Sequence, residues 1–132
     1  MLNIQRKLNV LLVKPYELPK EITINNTLKD KQNCVEGLIE YYRSSLYEDV
    51  IFICNEEGKI NGMEPNRDVK HDILFGPFLI VGDDPELGED RSLTKEQIEK
   101  YKKIFDKESI KETEAKIIGI KLSSFKNNDY EL

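Results

Sequence analysis

A stretch of fourteen residues between two apolar runs concentrates the polar side chains that could do chemistry. Positions 54–67 read CNEEGKINGMEPNR. Its arginine, Arg67, offers a planar fork of donors that suits a carboxylate or a phosphate. We predict that the stretch binds a polar ligand or a partner, against the alternative that Arg67 pairs with an acid and Asn66 supports a turn. The residues predicted to bind are Asn55, Glu56, Glu57, Asn66 and Arg67.

Catalysis by these side chains is not expected. Glu56 and Glu57 are adjacent, so on a strand they point to opposite faces and make a poor acid–base pair. The chain has one histidine, His71, and two cysteines, Cys34 and Cys54. Neither cysteine lies in a turn or at a helix start, where a thiol pKa would fall, so a Cys–His nucleophilic pair is not favoured. We predict no catalytic residue and a protein that is not an enzyme.

A second acidic run, DDPELGED, begins at Asp83 and has the composition of a calcium loop. It fails the EF-hand pattern, because the third position is Pro85 and the twelfth is Thr94. One histidine and two isolated cysteines lack zinc-ligand spacing, and neither glycine-rich phosphate loop is present. We predict no metal and no cofactor. Asp83 and Asp84 are instead predicted to contact a partner.

The composition is that of an acidic chain with the length of one domain. The 132 residues carry 25 acids and 20 bases, a net charge of −5, and 39% of them are hydrophobic. That charge gives no general attraction for phosphates, so direct nucleic-acid binding is not expected. An array of acids that imitates nucleic acid is an alternative to ordinary solubility, and a linear sequence leaves it open.

The chain is predicted to be cytoplasmic. Cys34 and Cys54 form no Cys-x-x-Cys motif, and each lies beside an apolar residue, as is usual in a reducing compartment. The apolar run from Leu8 to Val13 ends at Lys14 and Pro15. It is too short for a membrane span, and no signal peptide is visible.

Apolar patterns predict a sheet. The runs predicted as strands are LNVLLVK (8–14), KEITIN (20–25), LIEYY (38–42), DVIFIC (49–54) and FLIV (78–81). For LIEYY the alternative is the end of the preceding helix, and a strand is preferred because isoleucine and two tyrosines follow the glycine. The first and fourth are apolar on both faces, which favours positions inside the sheet. The first two are expected to pair around the connector PYELP. Pro77 belongs at the start of its strand, because proline has no amide to give to the ladder.

Two helices are predicted. Asn26 or Thr27 can cap a short helix that begins at Leu28 and stops at Gly37. A longer helix is predicted over about 94–107, beginning with a capping box and a hydrophobic staple. The residues of these two motifs are Thr94 with Gln97 and Leu93 with Ile98.

The remaining segments are predicted as turns and a loose end. NEEGK is predicted as a hairpin turn in which Gly58 takes a positive φ. MEPNRDVKHD (63–72) is predicted as a polar loop or a single helical turn. After residue 107, the run IIGIKL is expected to add an edge strand near 117–122, and NNDYEL (127–132) to form a loose tail.

These elements predict one α+β domain over 9–107, preceded by an extension at 1–8 and followed by a segment at 108–132. The core is a mixed or mainly antiparallel sheet, with a curl toward a small barrel as an alternative, together with one short and one long helix. Strand order is not readable from the sequence.

The order of several motifs resembles a known family. The motifs are VLLV before Pro15, EITI with NTL, V-x-G-L-I-E, EDVIFICNEEGK, PNR, D-I-L-x-G-x-F-L-I-V-G-D-D and SLT-x-E-Q. Together they resemble the bacterial and phage domain-of-unknown-function family DUF3846 over roughly residues 9–107. Pro77 departs from the family, whose members more often carry threonine or a small polar residue at that position.

The resemblance implies a context and no established activity. The family occurs in small proteins of Gram-positive bacteria, their phages and conjugative elements. We therefore expect a non-enzymatic accessory protein of a phage or mobile element that binds a host protein, for example as an inhibitor of a host defence nuclease. The alternative is a protein that binds or sequesters a nucleotide-type ligand through Arg67. A homodimer formed by strand addition at 117–122 is also open.

Overall fold

A six-stranded antiparallel sheet forms the centre of the molecule. The computed structural model describes residues 6–70 and 72–129, with side chains up to residue 123. The elements are β1 (Lys7–Val13), β2 (Lys20–Asn25), α1 (Leu28–Val35), β3 (Ile39–Tyr42), β4 (Val50–Asn55), β5 (Pro65–Asp68), β6 (Ile73–Phe75), β7 (Phe78–Asp84), β8 (Glu89–Arg91), α2 (Lys95–Ile104) and α3 (Lys107–Asp129). The strand order is β2-β1-β7-β4-β3, with β8 paired to β7. The prediction of an α+β fold with a mainly antiparallel sheet is confirmed, and the sheet does not close into a barrel in the described part of the chain.

Apolar side chains fill both faces of this sheet, because successive residues of a strand point to opposite sides. On β4, Ile51 and Ile53 point toward α1, and Phe52 points toward α2 and the β5–β6 ribbon. Phe52 lies edge-on to Phe105, with 5.9 Å between the ring centroids. The expectation that β4 is buried on both faces is confirmed, and it places the end of this strand inside the protein.

The first two strands pair as the sequence predicts. β1 runs antiparallel to β2, with Val10 opposite Ile22. Thr27 caps α1 by accepting a hydrogen bond from the Asp30 amide. The helix ends at Glu36, which takes the left-handed conformation, so Gly37 is not the cap residue.

The hairpin expected after β4 is wrong. Residues 56–64 form a compact turn that leads into β5, and β5 pairs with β6 in a separate two-stranded ribbon. The positive φ in this turn belongs to Gly62, at 71°, and not to Gly58. The polar loop predicted at 63–72 is wrong over Pro65–Asp68, because these residues are a strand.

The helix predicted from its capping box is confirmed. Thr94 and Gln97 exchange hydrogen bonds between side chain and backbone, and α2 follows to Ile104. The chain then turns and starts a second, longer helix, which was not predicted.

The edge strand expected near 117–122 is wrong, because these residues belong to α3. A run of isoleucines suits a strand as well as a helix, and here the flanking residues 107–116 already form a helix. Of the predicted tail, residues 127–129 are the last residues of α3, and 130–132 lie outside the described residues.

The N-terminal boundary also shifts. β1 begins at Lys7, so the last two residues of the expected extension 1–8 are part of the sheet. Residues 1–5 of that extension lie outside the described residues, as does His71. No helix in the described part of the chain combines the length and the apolar character that crossing a bilayer requires.

Candidate functional site

An open cleft of about 240 Å³ lies where the end of β4 meets β3 and β6. Its lining carries four carboxylates and one lysine, Lys59. The four acids come from β3, from the turn after β4 and from the approach to β6: they are Glu40, Glu56, Glu57 and Asp72. Tyr42, Leu74 and Phe75 add apolar surface between them. We call this site the acidic cleft.

The turn after β4 is held in place by Asn55. The Asn55 side chain is buried; it donates to the Val35 carbonyl at 3.0 Å and accepts from the Glu57 amide at 2.8 Å. The Glu56 amide donates to the Leu38 carbonyl at 2.8 Å. Glu56 and Glu57 lie at the start of this turn, so the alternation of side chains along a strand does not separate them. Both are exposed, and both line the acidic cleft.

Two glycines allow this packing. A Cβ atom on Gly37 would lie 2.7 Å from Asn55 Nδ2, and one on Gly58 would lie 2.6 Å from the Phe75 carbonyl oxygen. Both distances are shorter than any ordinary contact of a Cβ atom. The missing side chains therefore let the turn approach α1 on one side and β6 on the other.

Lys59 lies across the far wall of the acidic cleft. Its Nζ is 2.9 Å from Asp72 Oδ1 and 5.5 Å from the centre of the Phe75 ring. Both members of this ion pair are well exposed, so the pair is easily exchanged for another charged group. Glu40, Glu56 and Glu57 make no salt bridge within the described residues, and they give the cleft an excess of negative charge.

The Cys54 thiol forms part of the cleft wall. Its Sγ is buried and donates to the Glu40 carbonyl at 3.5 Å. Burial raises the pKa of this thiol to about 11, with a further contribution from the charges of Glu40 and Asp72. The thiol is therefore protonated at neutral pH, and a protonated thiol is a weak nucleophile. The acidic cleft is suited to binding through charge and shape.

Arg67, the residue predicted to hold an anion, is fully buried. Its guanidinium donates only to neutral oxygens: Ser109 Oγ at 2.9 Å, Asn66 Oδ1 at 2.9 Å, the Phe105 carbonyl at 3.2 Å, the Asn66 carbonyl at 3.4 Å and the Glu17 carbonyl. Removal from water lowers the pKa of Arg67 to about 10. The alternative that Arg67 pairs with an acid is wrong for the described residues.

Asn66 is buried beside Arg67. Its Nδ2 donates to the Val13 carbonyl and to the Gly76 carbonyl, both at 2.8 Å. The side chain therefore joins the end of β1 to the segment before β7. Arg67 is fully buried, and Asn66, which is 2% exposed, lies at the bottom of a groove beside α3.

Asp83 and Asp84 lie away from the acidic cleft. Asp83 faces the α1 side of the sheet and accepts from Arg43 at 2.8 Å. Opposite it in β8, Asp90 binds Lys31 at 2.6 Å and the Tyr41 hydroxyl at 2.8 Å, and the Lys31–Asp90 pair is buried. Asp84 accepts from two amides of the β7–β8 turn. These acids hold a hairpin together: the two ends of the acidic run lie in β7 and β8, and residues 85–88 form the turn between them.

The structure thus divides the predicted site into three places. Only Asn55, Glu56 and Glu57 belong to the acidic cleft. The prediction missed Glu40 and Asp72, which arrive from β3 and from the approach to β6. Glu40 lies opposite Cys54 in the pairing of β3 with β4. Both strands were predicted, so this pairing is the signal that could have located Glu40 beside the turn after β4.

The described residues contain no group of three or more His, Cys, Asp or Glu side chains arranged to hold a metal ion. The sequence model of one protein family, described as "Domain of unknown function (DUF3846)", matches residues 7–106. No curated protein and no solved structure matches the chain.

Proposed function

The chain belongs to the DUF3846 family, as its motifs indicated, and we propose that it is a non-enzymatic binding protein whose partner is a host protein. The observation that carries the proposal is the acidic cleft. Four carboxylates surround an apolar wall in a depression open to solvent, and the thiol in that wall is held in its unreactive form.

The chemistry of the cleft favours a basic segment of the partner. Lysine and arginine side chains carry a long apolar stem and a charged head, so one side chain can use both the apolar surface and the acids. Complementary charge at such a surface speeds association and excludes acidic competitors. Lys59 can move from Asp72 to solvent when a partner's cation takes its place, because the ion pair is exposed.

We further propose that the protein is a cytoplasmic accessory of a phage or mobile element, and that its partner is a host defence nuclease which it inhibits. The family context supplies the first part. The second part has a physical reason: an enzyme that cuts nucleic acid carries basic surfaces for phosphates, and the acidic cleft is complementary to such a surface.

The nucleotide-binding alternative loses its main support. It relied on the Arg67 guanidinium, which is inside the protein with every donor group engaged. The acidic cleft would repel a phosphate because its lining has more acids than bases. Nucleotide binding is therefore not the function that we propose, and the experiment below includes a measurement that would detect it.

The test compares two double charge reversals. In Glu56→Lys/Glu57→Lys the cleft changes sign, whereas Glu48→Lys/Glu99→Lys makes the same change at exposed positions outside it. Wild-type protein and both variants are immobilised, exposed to host lysate, and the retained proteins are identified by mass spectrometry. We expect one basic protein to be retained by wild type and by the control variant, and to be lost, by roughly tenfold or more, from the cleft variant.

Three further readouts complete the test. Nuclease activity of the retained protein should fall when wild type is added and should not fall with the cleft variant. Binding should weaken as salt is raised, because exposed charges are screened. Retention that is equal for both variants would overturn the role of the cleft, and a rise in melting temperature with any nucleotide would favour the alternative function.

A further inference from the structure

The second half of α3 exposes apolar side chains without a covering element in the described part of the chain. The first turns are held to the domain: Thr113 Oγ1 accepts from the Asp68 amide at 3.0 Å, and Lys116 Nζ is 3.1 Å from Asp68 Oδ2. Beyond them, Ile118 is 57% exposed and Leu122 is 58% exposed. Exposed aliphatic side chains that adjoin one another are typical of an interaction surface.

These residues form a stripe of their own. Ile110, Thr113 and Ile117 face the domain, at the spacing of one helix face. Ala115, Ile118 and Leu122 repeat at intervals of three and four on another face and are all exposed. A repeat of three and four is the spacing by which one helix packs along another. We call these three residues the outer stripe of α3.

We propose that the outer stripe pairs with the outer stripe of a second copy of this chain, the two α3 helices running antiparallel. The charges beside the stripe support this occupant. Glu114 and Lys121 lie on the same flank, seven residues apart, and both line the groove on that side of α3. A two-fold axis near Ile118 places Glu114 of each copy against Lys121 of the other.

The charge pattern also fixes the direction. In an antiparallel pair, residues of the same flank face each other, so Glu114 meets Lys121 twice. In a parallel pair the two copies of Glu114 lie at one level and the two copies of Lys121 at another, and neither acid meets a base. Because one helix carries both the acid and the base of this pair, its charges are complementary to those of a second copy related by a two-fold axis. α3 begins after residue 106, where the family match ends, so the proposed contact lies outside the matched residues.

The proposed contact is separate from the acidic cleft. Ile118 lines a groove with Tyr16 and Glu64, and Ile120 borders the opposite groove beside Phe75, with Ile117 between the two. Dimerisation through the outer stripe therefore leaves the acids of the cleft open to solvent. A variant can lose dimerisation and keep partner binding at the cleft, or the reverse.

The first experiment measures mass in solution by sedimentation equilibrium over a dilution series. We expect wild type to approach twice the 15.4 kDa of one chain as concentration rises. Ile118→Glu/Leu122→Glu should stay at the mass of one chain. Ile120→Glu is the matched control: it adds an acid on the opposite side of the helix, and it should still dimerise. Circular dichroism confirms that each variant is folded.

The second experiment tests direction by exchanging charges. Glu114→Lys and Lys121→Glu should each weaken the dimer, and the double exchange should restore it. An equimolar mixture of the two single variants should also dimerise. The first variant has a base at both positions and the second has an acid at both, so every contact between unlike copies joins a base to an acid. A wild-type protein that keeps the mass of one chain at all concentrations would overturn the proposal. So would a dimer indifferent to both exchanges.

Discussion

Among the described residues, Arg67 is the largest side chain that is completely buried, and it holds separate parts of the fold together. Its donors reach the β1–β2 connector at Glu17, the end of α2 at Phe105 and the first turns of α3 at Ser109. Three separate parts of the chain are therefore joined by one guanidinium. The Phe105 carbonyl is one of the groups that a helix end leaves without an internal partner, so Arg67 also completes α2.

We predict that Arg67→Ala destabilises the fold. The substitution leaves several buried oxygens without donors, which should cost about 3 kcal/mol or more of unfolding free energy. Urea denaturation followed by circular dichroism measures the change. Arg91→Ala removes an exposed arginine and serves as the control, with an expected change within about 0.5 kcal/mol. Equal effects of the two substitutions would contradict the structural role of Arg67.

The burial of Arg67 could not be predicted from the residues next to it in the sequence. PNR reads as a polar loop, because proline, asparagine and arginine are each common on the surface. An arginine becomes an internal residue only when oxygens from distant segments converge on it, and Glu17, Phe105 and Ser109 are each far from it in the chain. Glu56 and Glu57 were better predicted, because adjacent charged residues in a turn stay solvated wherever the turn packs.

At the scale of elements, the turn after β4 depends on a close approach and not on an unusual backbone angle. Gly58 packs against the Phe75 carbonyl of β6, whereas a Cβ atom on Gly62, which has the positive φ, would have no neighbour within 4 Å. The two glycines of one turn are thus needed for different reasons, and one substitution can separate them.

We predict that Gly58→Asn costs about 1–3 kcal/mol, because the new side chain must displace the Phe75 backbone. Gly62→Asn should cost less than about 1 kcal/mol, since asparagine tolerates the left-handed conformation and meets no neighbour. Thermal and urea unfolding of the two variants measure the difference. A larger loss for Gly62→Asn than for Gly58→Asn would contradict the close approach to Phe75 as the reason for glycine at position 58.

The helices show where local signals suffice. α2 was predicted because its start is set by residues three positions apart, Thr94 and Gln97, and no distant contact is needed. α3 was missed because Ile117, Ile118 and Ile120 are β-branched and suggest a strand by composition. What makes them helical is the turn that follows α2 and the docking of Ser109 and Thr113 on β5, which the sequence does not display.

At the scale of the molecule, the two parts of α3 differ in their contacts: one packs on the domain and the other is exposed. Its first turns complete the domain, since Ser109 and Thr113 bind Arg67 and Asp68. Its second half projects the outer stripe. The domain boundary predicted at 107 therefore falls just before residues that the buried network uses.

Truncation at two positions should separate the contribution of the first turns of α3 to stability from that of its exposed part. A chain ending at Lys116 keeps the hydrogen bonds of Ser109 and Thr113 to the domain, so we expect its unfolding free energy to lie within about 1 kcal/mol of that of the full chain. A chain ending at Asp106 loses both and should be less stable by about 2–4 kcal/mol. Urea unfolding is compared at a dilution where the full chain is monomeric. Equal stability of the two truncated chains would show that α3 adds nothing to the domain.

The edge strands of the sheet determine whether copies of this chain can associate by strand addition. A free strand is a template for endless addition of further strands, which leads to fibrils. One margin, β2, displays Lys20, Glu21 and Thr23 to solvent, and the other, β3, is four residues long. Both margins are therefore poor templates for strand addition, and the contact between copies that we propose uses neither of them, because it is made by α3.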